Sequence, residues 1–153
     1  VTLSIAIPLF MQFVVDMKEK AAASALMDAI RQARSEALTR NTPVTICRSS
    51  QELDACNHGD GGWSDGWLIF ADPDGDMGRI DNGERILHRH EALDSGIAIV
   101  PEGAVADYIR FSSSGRPSAT GSMSLAADGT AHTLTVTSNG RIAYETQPEE
   151  GRE

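Results

Sequence analysis

The sequence lacks the signatures of most catalytic and cofactor-binding proteins. No G-x-S-x-G elbow or H-E-x-x-H pair occurs, and Ser112, Ser113 and Ser114 stand in a turn-like SSSG instead of on a strained nucleophile turn. No glycine loop follows a strand and opens a helix to cradle phosphate. Aromatic residues are sparse at 5%. The two cysteines, Cys47 and Cys56, are too few for a zinc site and too far apart for a C-x-x-C redox pair. Basic residues are outnumbered 13 to 22, giving a formal charge of −9, so the whole-molecule field repels nucleic acid and anionic lipid. No apolar run reaches the roughly 20 residues that span a bilayer. We therefore expect a non-enzymatic chain with no cofactor, calcium being the one ion considered below.

What the sequence does have is its first forty residues. Val1 to about Arg40 reads as one long helix whose character changes partway. VTLSIAIPLFMQFVV carries no charge before Asp16, and beyond it Leu26, Ile30, Ala33 and Ala37 recur at helical spacing on one side. A helix with an uncharged stub and then a single apolar stripe suits two environments: lipid or partner helices first, the face of a folded domain second. Ile5, Ile7, Pro8, Leu9, Phe10, Phe13 and Val14 are the residues assigned to the first. The alternative is an N-terminal core helix of a soluble domain. Pro8 removes a backbone donor and is expected to kink the helix. The start at Val without an initiator Met implies that upstream residues were removed, and the stub lacks the basic leader and cleavage site of a signal peptide.

Beyond Asn41-Thr42-Pro43, which ends the helix, the chain reads as six to eight short strands joined by tight turns. Val44–Cys47, Trp67–Phe70, Arg85–His90, Ile97–Val100, Tyr108–Phe111, the Met123/Leu125 run, Leu134/Val136 with alternating threonines, and Ile142–Thr146 are the candidates. Asp128-Gly129 is assigned one turn, and Asn139-Gly140 a two-residue hairpin turn. Trp63 and Trp67 are expected to cap a core. The layout is α+β: residues 1–41 form the helix, split at residue 15 into a stub and a packing half, and residues 42–153 form one antiparallel β-rich domain.

Three constellations invite chemistry. Cys47 and Cys56 are best read as a disulfide closing a short loop in an oxidising compartment, the alternative being two reduced thiols. Asp72, Asp74, Asp76 and Glu84 follow the order of oxygen ligands in calcium loops, but Met77 and Gly83 stand where such a loop needs glycine and its bidentate glutamate, and turn chemistry explains the same letters. His88 and His90 share a strand face, yet without a third ligand nearby they read as solvated side chains.

The runs IAIPLFMQF, ASALMDAIRQARSEALTRNTPVTIC and DGWLIFADPDGDMGRIDNGERIL resemble the GspH/FimT/FimU family of minor pseudopilins and minor pilins over nearly the whole chain. The junction QARSEALTRNTPVTIC and the pairing of GWLIFAD with DNGERIL are the most specific parts. The resemblance implies a type IV pilin-like fold, with a long N-terminal helix packed on an antiparallel β-sheet domain. It also implies a structural subunit of a type II secretion pseudopilus or a type IV pilus, at or near the tip. Such a subunit is held in the bacterial inner membrane by a single pass, its domain in the periplasm, before joining the major subunit and other minor ones. Family members start with a methylated aromatic residue and an acidic residue soon after; neither is present here, so methylation and membrane extraction are implied for the full-length protein only. Some FimT-like members bind DNA through a basic Gly-Arg-x-Arg loop. Here Gly140-Arg141-Ile142-Ala143 keeps only Arg141, so nucleic acid is not the expected partner.

Overall fold

The computed structural model describes residues 6–76, 80–81, 83–94, 96–126 and 130–148. Helix α1, Ala6–Arg40, has 35 residues and is about 52 Å long at 1.5 Å per residue. It ends as the sequence suggests. Asn41 takes a left-handed conformation (φ 51°) and the Thr42 N–H reaches back to the Ala37 carbonyl at 3.3 Å, closing the last turn in the Schellman manner. Pro8 is the third residue of the described helix. The carbonyl its ring would meet, at residue 4, and Ile5 lie outside the described residues, as does the expected kink.

Two four-stranded sheets follow. The first has the order β3-β2-β1-β5 and the second β4-β6-β7-β8, every pairing antiparallel. The strands are β1 Val44–Arg48, β2 Trp67–Ala71, β3 Ile86–His90, β4 Ala98–Gly103, β5 Tyr108–Phe111, β6 Gly121–Ala126, β7 Thr130–Val136 and β8 Ile142–Pro148. Strand β4 therefore runs past the expected Val100 and takes in Pro101, which an edge strand tolerates because no ladder bond needs its missing donor. Between β1 and β2 lies one 3-10 turn, Trp63–Asp65.

One core joins these layers. Leu26, Ile30, Ala33 and Ala37 are fully buried, together with Ala22, Ala23 and Ala29. They meet Val44, Ile46, Ile69, Ile109 and Phe111 of the first sheet and Ile99, Met123, Leu125, Leu134 and Val136 of the second. Each fully buried leucine or isoleucine contributes about 1.5–3 kcal/mol, and the alanines let both sheets approach the helix axis. Trp63 and Trp67 are buried in the same core; the indole N–H of Trp63 donates to the Ala106 carbonyl at 2.9 Å. The outer face of the first sheet has a smaller core of Cys47, Leu68 and Phe70 under Leu53, Cys56 and Ile80. Strand β1 is consequently buried on both faces.

That outer layer is fastened by two devices. Cys47 and Cys56 form a disulfide with a Cα–Cα distance of 5.7 Å. Arg48, 8% exposed, donates to Asp107 Oδ1 at 2.9 Å and to the carbonyls of Gly61 and Gly59 at 2.6 and 3.0 Å. The glycine-rich segment is held by one guanidinium.

The β7–β8 connection departs from the expected two-residue turn. The Thr137 N–H bonds the Arg141 carbonyl at 3.0 Å and the Gly140 N–H bonds the Thr137 carbonyl at 2.9 Å. Ser138-Asn139-Gly140 is thus a three-residue loop with Gly140 left-handed at φ 79°, the turn-plus-bulge form of hairpin. The Thr137 hydroxyl stabilises it by donating to Asn139 Oδ1 at 2.6 Å. The Asp128-Gly129 turn lies outside the described residues.

Replacing both cysteines by serine should lower the unfolding free energy in urea by about 2–3 kcal/mol, the loop-closure value for so short a ring. Gly140→Ala should cost about 1–3 kcal/mol. Its Cβ would sit at positive φ and 2.6 Å from the Gly115 carbonyl oxygen.

Candidate functional site on the N-terminal helix

At 100° per residue, the stripe that α1 buries against the sheets and the residues it exposes near its start lie on opposite sides. Phe10, Phe13 and Met17 are 68%, 61% and 56% exposed. With the exposed small residues Ala21 and Ser24, they follow a 3-4-4-3 spacing, the seam along which a second helix packs. Met11, 63% exposed, widens the apolar surface. Val14 is half-buried. Along the line of this seam, charge returns at Asp28 and Arg31, which pair with each other. The side chains of Ile7, Pro8 and Leu9 lie outside the described set. Among the described residues, no helix is long and apolar enough to cross a membrane.

The acidic β2–β3 connection brings Asp72, Asp74 and Glu84 together, their oxygens within 4.8 Å of one another. Asp76 instead joins Asp74 and Asp81, so the four sequence candidates do not converge on one point. Asp72 is fully buried and already committed. It accepts from the Thr45 hydroxyl at 2.7 Å and the Gly75 N–H at 2.9 Å, and Arg110 lies 3.3 Å away. This arrangement anchors the loop to β1 and β5. Glu84 accepts from the Asp81 N–H at 3.0 Å. Burial, and then the fields of Asp74, Asp72 and Asp76, push its carboxyl above the ordinary glutamate value.

Arg141 lines an open groove with Arg31, Arg34 and Ile142. The Arg34 Nε–H is spent on the Gly115 carbonyl at 3.1 Å, and Arg31 faces Asp28 at 3.8 Å. His88 and His90 are half-buried, and His88 keeps 40% of its side chain exposed. His88 meets Glu36 of the helix at 3.1 Å, and His90 stacks on Trp67 with ring centroids 4.1 Å apart. The Arg40 hydrogen bond at 2.6 Å, then that of His88, hold the Glu36 carboxyl below its usual value.

Sequence reasoning overlooked His132 and Glu19. Both are fully buried, with His132 Nε2 3.6 Å from Glu19 Oε2 and 4.0 Å from Asp16 Oδ1. A signal existed for each. His132 precedes Leu134 and Val136 by the strand period of two, and Glu19 falls on the helix side that Ala22, Ala23 and Leu26 bury.

The raised Glu84 value sets a pH dependence. An acid whose folded value lies above its unfolded one stabilises the fold below the ordinary carboxylate range, and that stability is lost as pH rises through the folded value. Glu84→Gln should therefore raise the midpoint of thermal unfolding at pH 7, and the gain should vanish below about pH 4.

The family model described as "Type II transport protein GspH" matches residues 22–140. No curated protein matches the chain. Among solved structures, it is similar to the Pseudomonas aeruginosa type IV minor pilin FimU, at 18% identity, 87% of this chain, 92% of that chain and a TM-score of 0.64. A second crystal form of FimU matches with 19% identity, 82% and 91% coverage and a TM-score of 0.60. The minor pseudopilin EpsH from the Type 2 Secretion System of Vibrio cholerae matches at 15% identity, 84% and 96% coverage and a TM-score of 0.57. These structural likenesses establish the fold: a long N-terminal helix packed on antiparallel sheets. The family model takes in well over half of the sequence, and on that ground the chain belongs to the GspH family of type II transport proteins.

Proposed function

We propose that this chain is a minor pilin or pseudopilin, a structural subunit of a type IV pilus or type II secretion pseudopilus at or near its tip. Its helix packs among the helices of neighbouring subunits and its β-rich head stays outside. The observation that carries this reading is the exposed seam Phe10, Phe13, Met17, continued by the small residues Ala21 and Ser24. Large exposed apolar side chains in a row mark a surface meant to be covered, and this row faces away from the core that the helix builds with its own chain. Residues 1–15 are assigned to lipid before assembly and to the filament core afterwards, and residues 16–41 to the head. The disulfide suits an oxidising compartment, consistent with a head in the periplasm and a single-pass inner-membrane anchor in the full-length protein. Family membership supports a role in assembly and secretion, not in catalysis.

In a strain lacking its own copy, a Phe13→Asp, Met17→Asp double variant should express with an unchanged head by circular dichroism. It should fail to restore filament assembly or secretion, and its recovery in sheared filaments should fall at least tenfold. Full recovery would overturn the reading.

A further inference from the structure

Where α1 leaves the head, Asp16 and Glu19, one helical turn apart, face His132 of β7. The His132 ring is fully buried, and the two ends of the imidazole are in different surroundings. Nδ1 lies 2.7 Å from the Tyr144 hydroxyl, with Thr146 Oγ1 at 3.5 Å. Nε2 has no hydrogen-bond partner among the described residues and points at the carboxylates, 3.6 Å from Glu19 Oε2 and 4.0 Å from Asp16 Oδ1. Those separations are too long for hydrogen bonds. They are the right length for something between. Two donors each bound at about 2.0–2.2 Å to one zinc-class ion lie at most about 4.4 Å apart, and both distances from Nε2 to the carboxylates fall inside that limit, the three donors forming one cluster.

The outer groups fit the same assignment. A ligating histidine is oriented by a hydrogen bond at its other nitrogen, the place Tyr144 takes. The far oxygen of Asp16, Oδ2, is held 3.2 Å from Lys20 Nζ, which leaves Oδ1 toward the ring. One imidazole nitrogen with two carboxylates favours zinc-class ions over calcium, which prefers oxygen donors alone. Asp16, 40% exposed at its side chain, leaves one side of the cluster open to solvent.

We propose that Asp16, Glu19 and His132 form a divalent-cation site of the zinc class that clamps the neck of the helix to β7. Its occupancy fixes how the protruding half of α1 stands on the head. This does not depend on the assembly reading above, since it concerns only the chain's own helix and strand.

The test is calorimetric titration of the full chain with zinc chloride at pH 7.5, in parallel with thermal unfolding. The expected result is one ion per chain and a raised midpoint, with affinity at least tenfold weaker in Asp16→Asn and in His132→Gln. Asp16 is half-exposed, so its variant tests the site without a core substitution. Asp74→Asn, in the acidic loop, should bind as the wild type does. Calcium should give no heat that Asp16→Asn abolishes. Absence of zinc binding by the wild type overturns the proposal and leaves the cluster a histidine–carboxylate ion pair. Binding equally tight in Asp16→Asn and His132→Gln also overturns it.

Discussion

Both sheets depend on one stripe of helix. Ala22, Ala23, Leu26, Ala29, Ile30, Ala33 and Ala37 form the wall that the inner faces of β1, β2 and β5 on one side, and β6 and β7 on the other, pack against. Without that wall each sheet would leave an apolar face to water, because the two inner faces meet chiefly through the helix between them. The alanines matter as much as the large residues, since they bring two sheets close to one axis. The first consequence is that the packing half of α1 belongs to the head. The second is that its opposite side is left uncovered by the chain's own sheets.

This division explains why one helix carries two packing patterns out of phase. The inward stripe is satisfied within the chain; the outward seam, apolar from Phe10 to Ala21 and small at Ser24, is not. Helix propensity is indifferent to which side is which, but the head covers only one. The polar contacts reinforce the attachment at several points. Glu36 meets His88 of β3, Arg34 donates to the carbonyl of Gly115, and Glu19 faces His132 of β7. Together they spread from the neck of the helix to its far end, so the protruding half rises from a rigid base.

Much of this was legible in the sequence because periodicity reports burial directly. The inward stripe and the alternation of β7 follow from spacing, and the stop at Asn41 from the turn residues there; the tryptophans, expected to cap the core, lie inside it. The three-residue β7–β8 loop was not legible, since Asn-Gly serves either hairpin form and the choice is made by register. The acidic connection was legible as letters but not as partners. Arg110 pairs with the Asp72 carboxylate and donates to its backbone carbonyl from 38 residues away, and no local pattern reveals that. His132 was missed because the alternation of β7 was followed only through Leu134, Val136 and the threonines, and not one step back to the preceding residue of the same buried face. The family resemblance supplied the assembly role, which spacing only hinted at through the uncharged stub.

The claim on which the rest turns is that the outward side of α1 is covered by other subunits. The most direct measurement places a photoreactive amino acid at position 13 or position 30 of the full-length protein in living cells and identifies the products. The account predicts that position 13 crosslinks to the helices of other subunits of the same machine, while position 30 yields only crosslinks within the chain. Position 13 reacting solely with this chain's own head would contradict it.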